Sequence, residues 1–295
     1  MKPNPGLGMC NVLTFVTVKE LPQLLTSDKR GQLLKRKKRP LQGRTFRVFN
    51  RIANQFNWGL IVDVGSNYGE MIFYSSIDRK QRIIAIEPNT EIFDCLKINL
   101  AAFRNVTILN AAAGTFNGSA FLETKKGHSG RAYVTHSPTA LKIAVLDLAE
   151  VISQEKLSPV LVKIDIEGGE ADVVLHTANS AGQEIVWLTE SHSFNHQNFK
   201  NLFKKYRVYD IDSSRYRIME VNNMNLDRYI SESSCRGNNC LLVPLKSSLV
   251  WPSIKNLRDP IWFQLERIAS WLHRNGFREV LVGKKLNKNN QAIEI

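Results

Sequence analysis

Three stretches of this chain put carboxylates beside bare glycines at the ends of apolar runs. In LIVDVGSNYGE, residues 60–70, the run reaches Asp63 and Val64, and Gly65, Asn67 and Gly69 follow at alternate positions. Glycine adopts positive φ without penalty and lets a ligand come close to the main chain. A helix opening near Gly69 would turn its unpaired N–H groups toward that ligand. The spacing is G-x-N-x-G, not the G-x-G-x-x-G of dinucleotide loops, and no lysine follows, which argues against a polyphosphate ligand. A tight strand-to-helix turn without a ligand would read the same way. In the second stretch, IIAIEPN, Glu87 ends the strand, about twenty residues after the loop, where nucleotide-binding sheets place the acid that holds a ribose diol. A carboxylate favouring the dipole of the helix after Pro88 is a compatible reading. The third, VLVKIDIEGGE, crowds Asp165, Glu167 and Glu170 around a glycine pair. Ligands of open parallel sheets sit outside such strand ends; helix capping is the alternative, and Lys163 could offset one acid.

Elements must hold these residues on one edge. Apolar spacing predicts a helix over 45–58, a strand at Leu60–Val64, a helix from Gly69 to Ser76 and a strand at Arg82–Ile86. A helix over Glu91–Phe103 and a strand at Val106–Leu109 follow. Ser119–Glu123 and Lys142–Leu146 read as short strands around the loop KKGHSGRAYVTHSP. The alternation resumes with strands at Val160–Asp165 and Glu184–Glu190 and helices at Glu170–Thr177 and Asn198–Lys205. Arg207–Ile211 and Asn239–Val243 are expected to close the sheet as an antiparallel pair, with Arg215–Glu220 a small strand between them. Alternating strands and helices predict an α/β fold with a parallel sheet covered on both faces.

In their order, VDVGSNYGE, IAIEPN, NAAAG and VLVKIDIEGGE resemble the FkbM family of S-adenosylmethionine-dependent methyltransferases over about residues 58–192. The resemblance implies a Rossmann-like class I methyltransferase fold, a seven-stranded, mostly parallel sheet with helices on both faces. It implies that Gly65, Asn67 and Gly69 bind the methionine part of S-adenosyl-L-methionine and Glu87 its ribose, with Asn110 and Ala111 beside the adenine. Asp63, Ser66 and Pro88, which flank these positions, are counted with them. Methyl transfer to a hydroxyl needs a base to take the proton. The candidates at strand ends are Asp165 and, in WLTESHSFN, Glu190 and His192; an imidazole titrates near neutrality and suits the task. A divalent metal on Asp165 and Glu190 is not expected, because hard cations want more oxygen ligands than these.

The chain has 295 residues, 43% hydrophobic, enough for one sizeable core. The formal charge of +13 is concentrated in Lys29, Arg30, Lys35, Arg36, Lys37, Lys38, Arg39, Arg44, Arg47 and Arg51, an interval without an acid. The domain reading is a partly flexible basic leader over 1–44, a methyltransferase domain over 45–246, and a helical extension and tail over 247–295, with an amphipathic helix at Asp259–Leu272. No apolar run is long enough to span a bilayer. The start does not read as a secretory signal, and the four cysteines form no C-x-x-C pair, which suits a reducing cytoplasm. The first expectation for function is O-methylation of a small metabolite or glycan. The basic interval suggests an RNA methyltransferase as the alternative, and a non-catalytic glycan- or RNA-binding module is the third.

Overall fold

The computed structural model describes residues 13–17, 20–124, 127–135, 137, 140–211, 219–236, 238–247 and 279–283. The chain divides into two units. The smaller takes in Met1–Lys19 and Arg258–Ile295, and in it strand β1 (Leu13–Thr17) pairs antiparallel with a strand at Glu279–Gly283. The larger, Glu20–Leu257, holds the three glycine-and-carboxylate stretches.

In the larger unit, helices α1 (Lys29–Lys37) and α2 (Gly43–Gln55) precede β2 (Leu60–Val64). Then follow α3 (Glu70–Phe73), β3 (Ile83–Ile86), α4 (Thr90–Asn99) and β4 (Val106–Leu109). A run of short strands, β5 (Ala112–Gly114), β6 (Gly118–Thr124), β7 (Ala132–Thr135) and β8 (Leu141–Asp147), leads into α5 (Leu148–Glu155). The alternation returns with β9 (Val160–Ile164), α6 (Glu170–Ser180), β10 (Ile185–Glu190) and α7 (His196–Leu202). It ends with β11 (Tyr206–Asp210), β12 (Met219–Val221), α8 (Leu226–Arg236) and β13 (Asn239–Pro244).

The main sheet has eight strands in the order β12-β11-β13-β10-β9-β2-β3-β4. Strands β10, β9, β2, β3 and β4 are mutually parallel, while β13 runs antiparallel between β10 and β11. This is an α/β architecture with a mixed sheet. It departs from the seven strands expected, because β12 adds to the edge beyond β11. Strands β2, β3 and β9 are buried at every position, which is what continuous apolar runs require when both faces are covered. Alternate side chains feed two cores. Leu60, Val62, Val64 and Trp187 pack with α5, α6, α7 and α8 on one face; Ile61, Ile83, Leu161 and Leu188 pack with α2, α3 and α4 on the other. Chain order reverses at β2 and β9, neighbours in the sheet reached from opposite directions. Ligand crevices form outside the carboxyl ends of such a strand pair.

Two expectations concern the ends. Residues 20–44, expected as a partly flexible leader, carry α1 and the start of α2. Asp28 caps α1 by accepting from the Gly31 amide, and Leu21 and Leu34 pack in a core with Tyr68, Ile92 and Cys95. The helix foreseen at Asp259–Leu272 lies outside the described residues. The short strands of the middle form a second sheet, β5-β8-β6-β7, with a small core of Ala112, Leu122, Ile143 and Val145. Among the described residues, no helix is long and apolar enough to cross a membrane.

Candidate functional site

The carboxyl ends of β2, β3 and β9 border an open cleft, with about 650 Å³ of empty space that includes open solvent. Gly65 and Asn67 come from the turn after β2, Glu87 and Pro88 from the end of β3, and Ala111 from the end of β4. Asp165 and Glu167 come from the end of β9. The second sheet supplies the facing wall through Leu122, Ser129, Gly130, Ala132 and Val134.

Gly65 stands at φ +70°, and a Cβ there would meet the Asp165 carbonyl oxygen at 2.1 Å. Its lack of a side chain therefore serves first the close approach of the β2 and β9 chain ends. Gly69, at φ +79°, is pressed against α4: a Cβ would lie 2.7 Å from Leu96 Cδ1. Asn67 adopts φ 48°, and its Oδ1 accepts from the Tyr68 amide and from Ser129 Oγ. That carboxamide ties the turn to the second sheet. Ser66 Oγ donates to the Asp63 carbonyl at 2.6 Å and closes the turn.

Glu87 is the acid best placed toward the cleft. One carboxylate oxygen accepts from the Asn67 amide and the other from the Asn89 amide, both at 2.9 Å. Burial pushes its carboxyl up to about 7, against the opposing pull of those two amides. Each oxygen keeps a lone pair for a ligand hydroxyl. Asn110 is not among the cleft-lining residues and donates to the Glu87 and Pro88 carbonyls, fixing the end of β3. Asp63 is fully buried and pairs with Lys163 Nζ at 3.2 Å, beneath the turn and not among the cleft-lining residues. Of the residues foreseen for a cofactor, the fold thus brings Gly65, Asn67, Glu87, Pro88 and Ala111 to the cleft. Asp63, Ser66, Gly69 and Asn110 stand behind them as supports.

At the carboxyl ends of β9 and β10 further acids gather, of which Asp165 and Glu167 line the cleft and Glu170, Glu190 and the nearby His192 do not. Asp165 Oδ2 accepts from Gln42 Nε2 at 2.8 Å. Glu170 is fully buried and accepts through Oε1 from the Ile166 and Gly168 amides, which holds the glycine turn after β9. Glu190, at the end of the neighbouring β10, faces His192 Nδ1 at 3.1 Å. Burial, and then the charges of Asp165, Glu167 and Glu170, push the Glu190 carboxyl up to about 8. Burial and Asp165 raise Glu167 as well. Donor atoms of Glu170, Glu190 and His192 lie within 4.8 Å of one another, a span one cation could bridge. The sequence reading had weighed a metal only on Asp165 and Glu190.

Sequence reasoning missed the contribution of residues 28–42. Arg30 lines the cleft and pairs with Glu70, and Gln42 reaches Asp165. Asp28 accepts from the Ser129 amide, Ser129 Oγ and Tyr68 Oη as well as from its own helix. An aspartate one residue before a helical stretch was a readable capping signal; nothing in the sequence marks Gln42.

The family described as Methyltransferase FkbM domain matches residues 63–240. No curated protein matches the chain. Solved structures give remote likenesses. A methyltransferase from Geobacter sulfurreducens is 10% identical, with TM-score 0.39, over 72% of this chain and 85% of that one. A SAM-dependent O-methyltransferase from Thermotoga maritima is 10% identical, with TM-score 0.39, over 72% and 69%. The O-methyltransferase TomG from Streptomyces achromogenes, in complex with SAM, is 8% identical, with TM-score 0.40, over 74% and 87%.

Proposed function

Because the chain belongs to the FkbM methyltransferase family, we propose that it binds S-adenosyl-L-methionine in the cleft and methylates a hydroxyl of a small metabolite or glycan. The seven-stranded core of the class I methyltransferases is part of this reading: without β12, the strand order and the single antiparallel β13 fit it. The observation that carries the proposal is Glu87, a buried carboxylate with spare acceptor capacity that lines the cleft. The donor set suits the cofactor. Vicinal ribose hydroxyls can donate to Glu87, and a flat adenine can lie between Pro88, Ala111 and the apolar wall of Leu122 and Val134. When bound, S-adenosylmethionine supplies a methyl group activated by its sulfonium.

Asp165, Glu190 and His192 then act on the acceptor. Asp165, fixed by Gln42, accepts a hydrogen bond from the acceptor or the cofactor and orients it. His192 holds Nδ1 toward Glu190, which leaves Nε2 to take the hydroxyl proton as the oxygen gains the methyl group. The basic residues around α1 support the second reading, an RNA acceptor.

Calorimetry with S-adenosylhomocysteine tests the cofactor half. Glu87→Ala should weaken binding by about 1.5–3 kcal/mol, the scale of a hydrogen bond to a charged group; equal affinity in both proteins would remove Glu87 from the site. Label transfer from methyl-tritiated cofactor to metabolite and glycan pools, with and without RNA, tests the acceptor. Label appearing only in RNA would replace the first reading by the second.

A further inference from the structure

We infer that Arg30, outside the span that matches the family, is a cofactor-binding residue whose guanidinium receives the carboxylate at the amino-acid end of S-adenosylmethionine. This rests on the reading of the cleft as the cofactor site. That end of the molecule carries one carboxylate and one ammonium, so a complementary cleft presents a cation and an anion side by side. Among the described residues lining the cleft, Arg30 is the permanent cation, and its charge acts on the lining acids Asp165 and Glu167, as well as on Glu87. Arg30 and Asp165 are near enough for their charges to act on one another.

The simpler role for Arg30 is to neutralise Glu70, which is buried at 2% exposure. The geometry of the pair asks for more. Arg30 Nη2 meets Glu70 Oε1, while Arg30 Nε and Glu70 Oε2 both lack a hydrogen-bond partner. A guanidinium devoted to one carboxylate takes the two-point geometry that its fork allows. Here the fork is turned so that Nη1 lies beside Gly130, where a Cβ would come within 2.5 Å of it. Gly130 is itself on the cleft wall, so the fork passes along the cleft edge through the space a side chain would fill. The helix carrying Arg30 is pinned from two sides, because Asp28 accepts from Tyr68 Oη in the turn region and from Ser129 on the second sheet. The cation is thereby set in place before any ligand arrives, which lowers the ordering cost of binding.

Two ligands that differ in the amino-acid tail separate this role from a structural one. S-adenosylhomocysteine carries the carboxylate; 5′-methylthioadenosine keeps the adenosine and sulfur but has no carboxylate. Arg30→Gln should weaken S-adenosylhomocysteine by about 10- to 100-fold, the worth of one charge-assisted hydrogen bond. It should leave 5′-methylthioadenosine within about threefold. Should Arg30→Gln leave Glu70 uncompensated and fail to fold, the Arg30→Gln/Glu70→Gln pair is compared with Glu70→Gln alone, with the same contrast expected. Equal losses for both ligands, or no loss for either, would overturn the inference and leave Arg30 as the partner of Glu70. A wild-type protein that binds neither ligand would overturn the cofactor reading together with it.

Discussion

Gly65 shows how one position can meet a demand different from the one its type suggests. Read as sequence, a glycine in that turn makes room for a ligand. In the structure, the Asp165 carbonyl oxygen occupies the space a Cβ would need. Gly65→Ala should therefore cost about 2–5 kcal/mol of stability, from left-handed backbone strain plus overpacking against main chain. Urea unfolding measures this, and an unaltered midpoint would mean that β2 and β9 can part without penalty. The Glu190–His192 pair makes a different prediction. While the Glu190 carboxyl is protonated it can donate to Nδ1, which leaves the proton of a neutral imidazole on Nε2. Once ionised it accepts from Nδ1–H, and Nε2 is free to act as a base. Because burial, and then the charges of Asp165, Glu167 and Glu170, push that carboxyl up to about 8 against the opposing pull of Lys163, single-turnover rates should rise with pH through that value. Glu190→Gln should abolish the rise. His192→Ala should slow turnover about 10²- to 10⁴-fold with cofactor affinity little changed. A flat profile from about pH 7 to 9 in the wild type would take the pair out of the proton transfer.

Helix α1 is the element whose role differs most from its appearance in the sequence. Its charged residues suggest a solvated arm, yet Gly31 and Leu34 are buried, and Leu34 shares a core with Leu21 and Tyr68. A protein beginning at residue 20 loses β1, the partner of the strand at Glu279–Gly283, but should keep the stability of the larger unit and its cofactor affinity. One beginning at Arg44 exposes Tyr68, Ile92 and Cys95 and loses the Asp28 network. Its melting temperature should fall by several degrees, since about 1 kcal/mol shifts Tm by about 2–4 °C at this size, and S-adenosylhomocysteine binding should weaken. Thermal scans with calorimetry on both proteins decide it; matching behaviour would return α1 to the status of an appendage. The contrast explains what was legible. Strands β2, β3, β9 and β10 are mostly apolar because both faces are covered, and their positions were legible even though Asp63 interrupts β2 and Lys163 interrupts β9. Helix α1 buries few side chains and turns Arg30, a charged one, inward, so its apolar stripe is too short to read. Helix α3 spans four residues where eight were expected, because Tyr74 already closes it by donating to Glu70 and Ile72. Strand β7 is largely half-exposed and lacks a strong apolar pattern. Asn110 and Asp63 are absent from the cleft lining, because their side-chain directions depend on tertiary partners that spacing does not encode.

Across the whole molecule, two buried carboxyls link stability to pH. Glu87 is pushed up to about 7 and Glu190 to about 8, each above the ordinary carboxyl value of 4.5. The folded state therefore holds more protons than the unfolded chain between that ordinary value and about 8. Their contribution is fully present below the ordinary value and is lost as pH rises through the folded values. Melting temperatures taken from about pH 5 to pH 9 should fall, and Glu190→Gln should flatten the upper part of the curve; an unchanged slope would locate the dependence elsewhere. The basic surface residues add a different sensitivity, to ionic strength, which applies to any polyanion the protein meets. The two sheets differ in kind. The main one is clamped between two large cores, whereas the second rests on Ala112, Leu122, Ile143 and Val145. A layer with so little apolar mass opens at lower free energy than the body it leans on. Its backbone amides should thus trade hydrogen for deuterium well before those of β2 and β9, and should slow when a nucleoside fills the cleft beside Leu122 and Val134. The small sheet would then be the side of the cleft that a bound ligand orders, while the parallel strands stay closed.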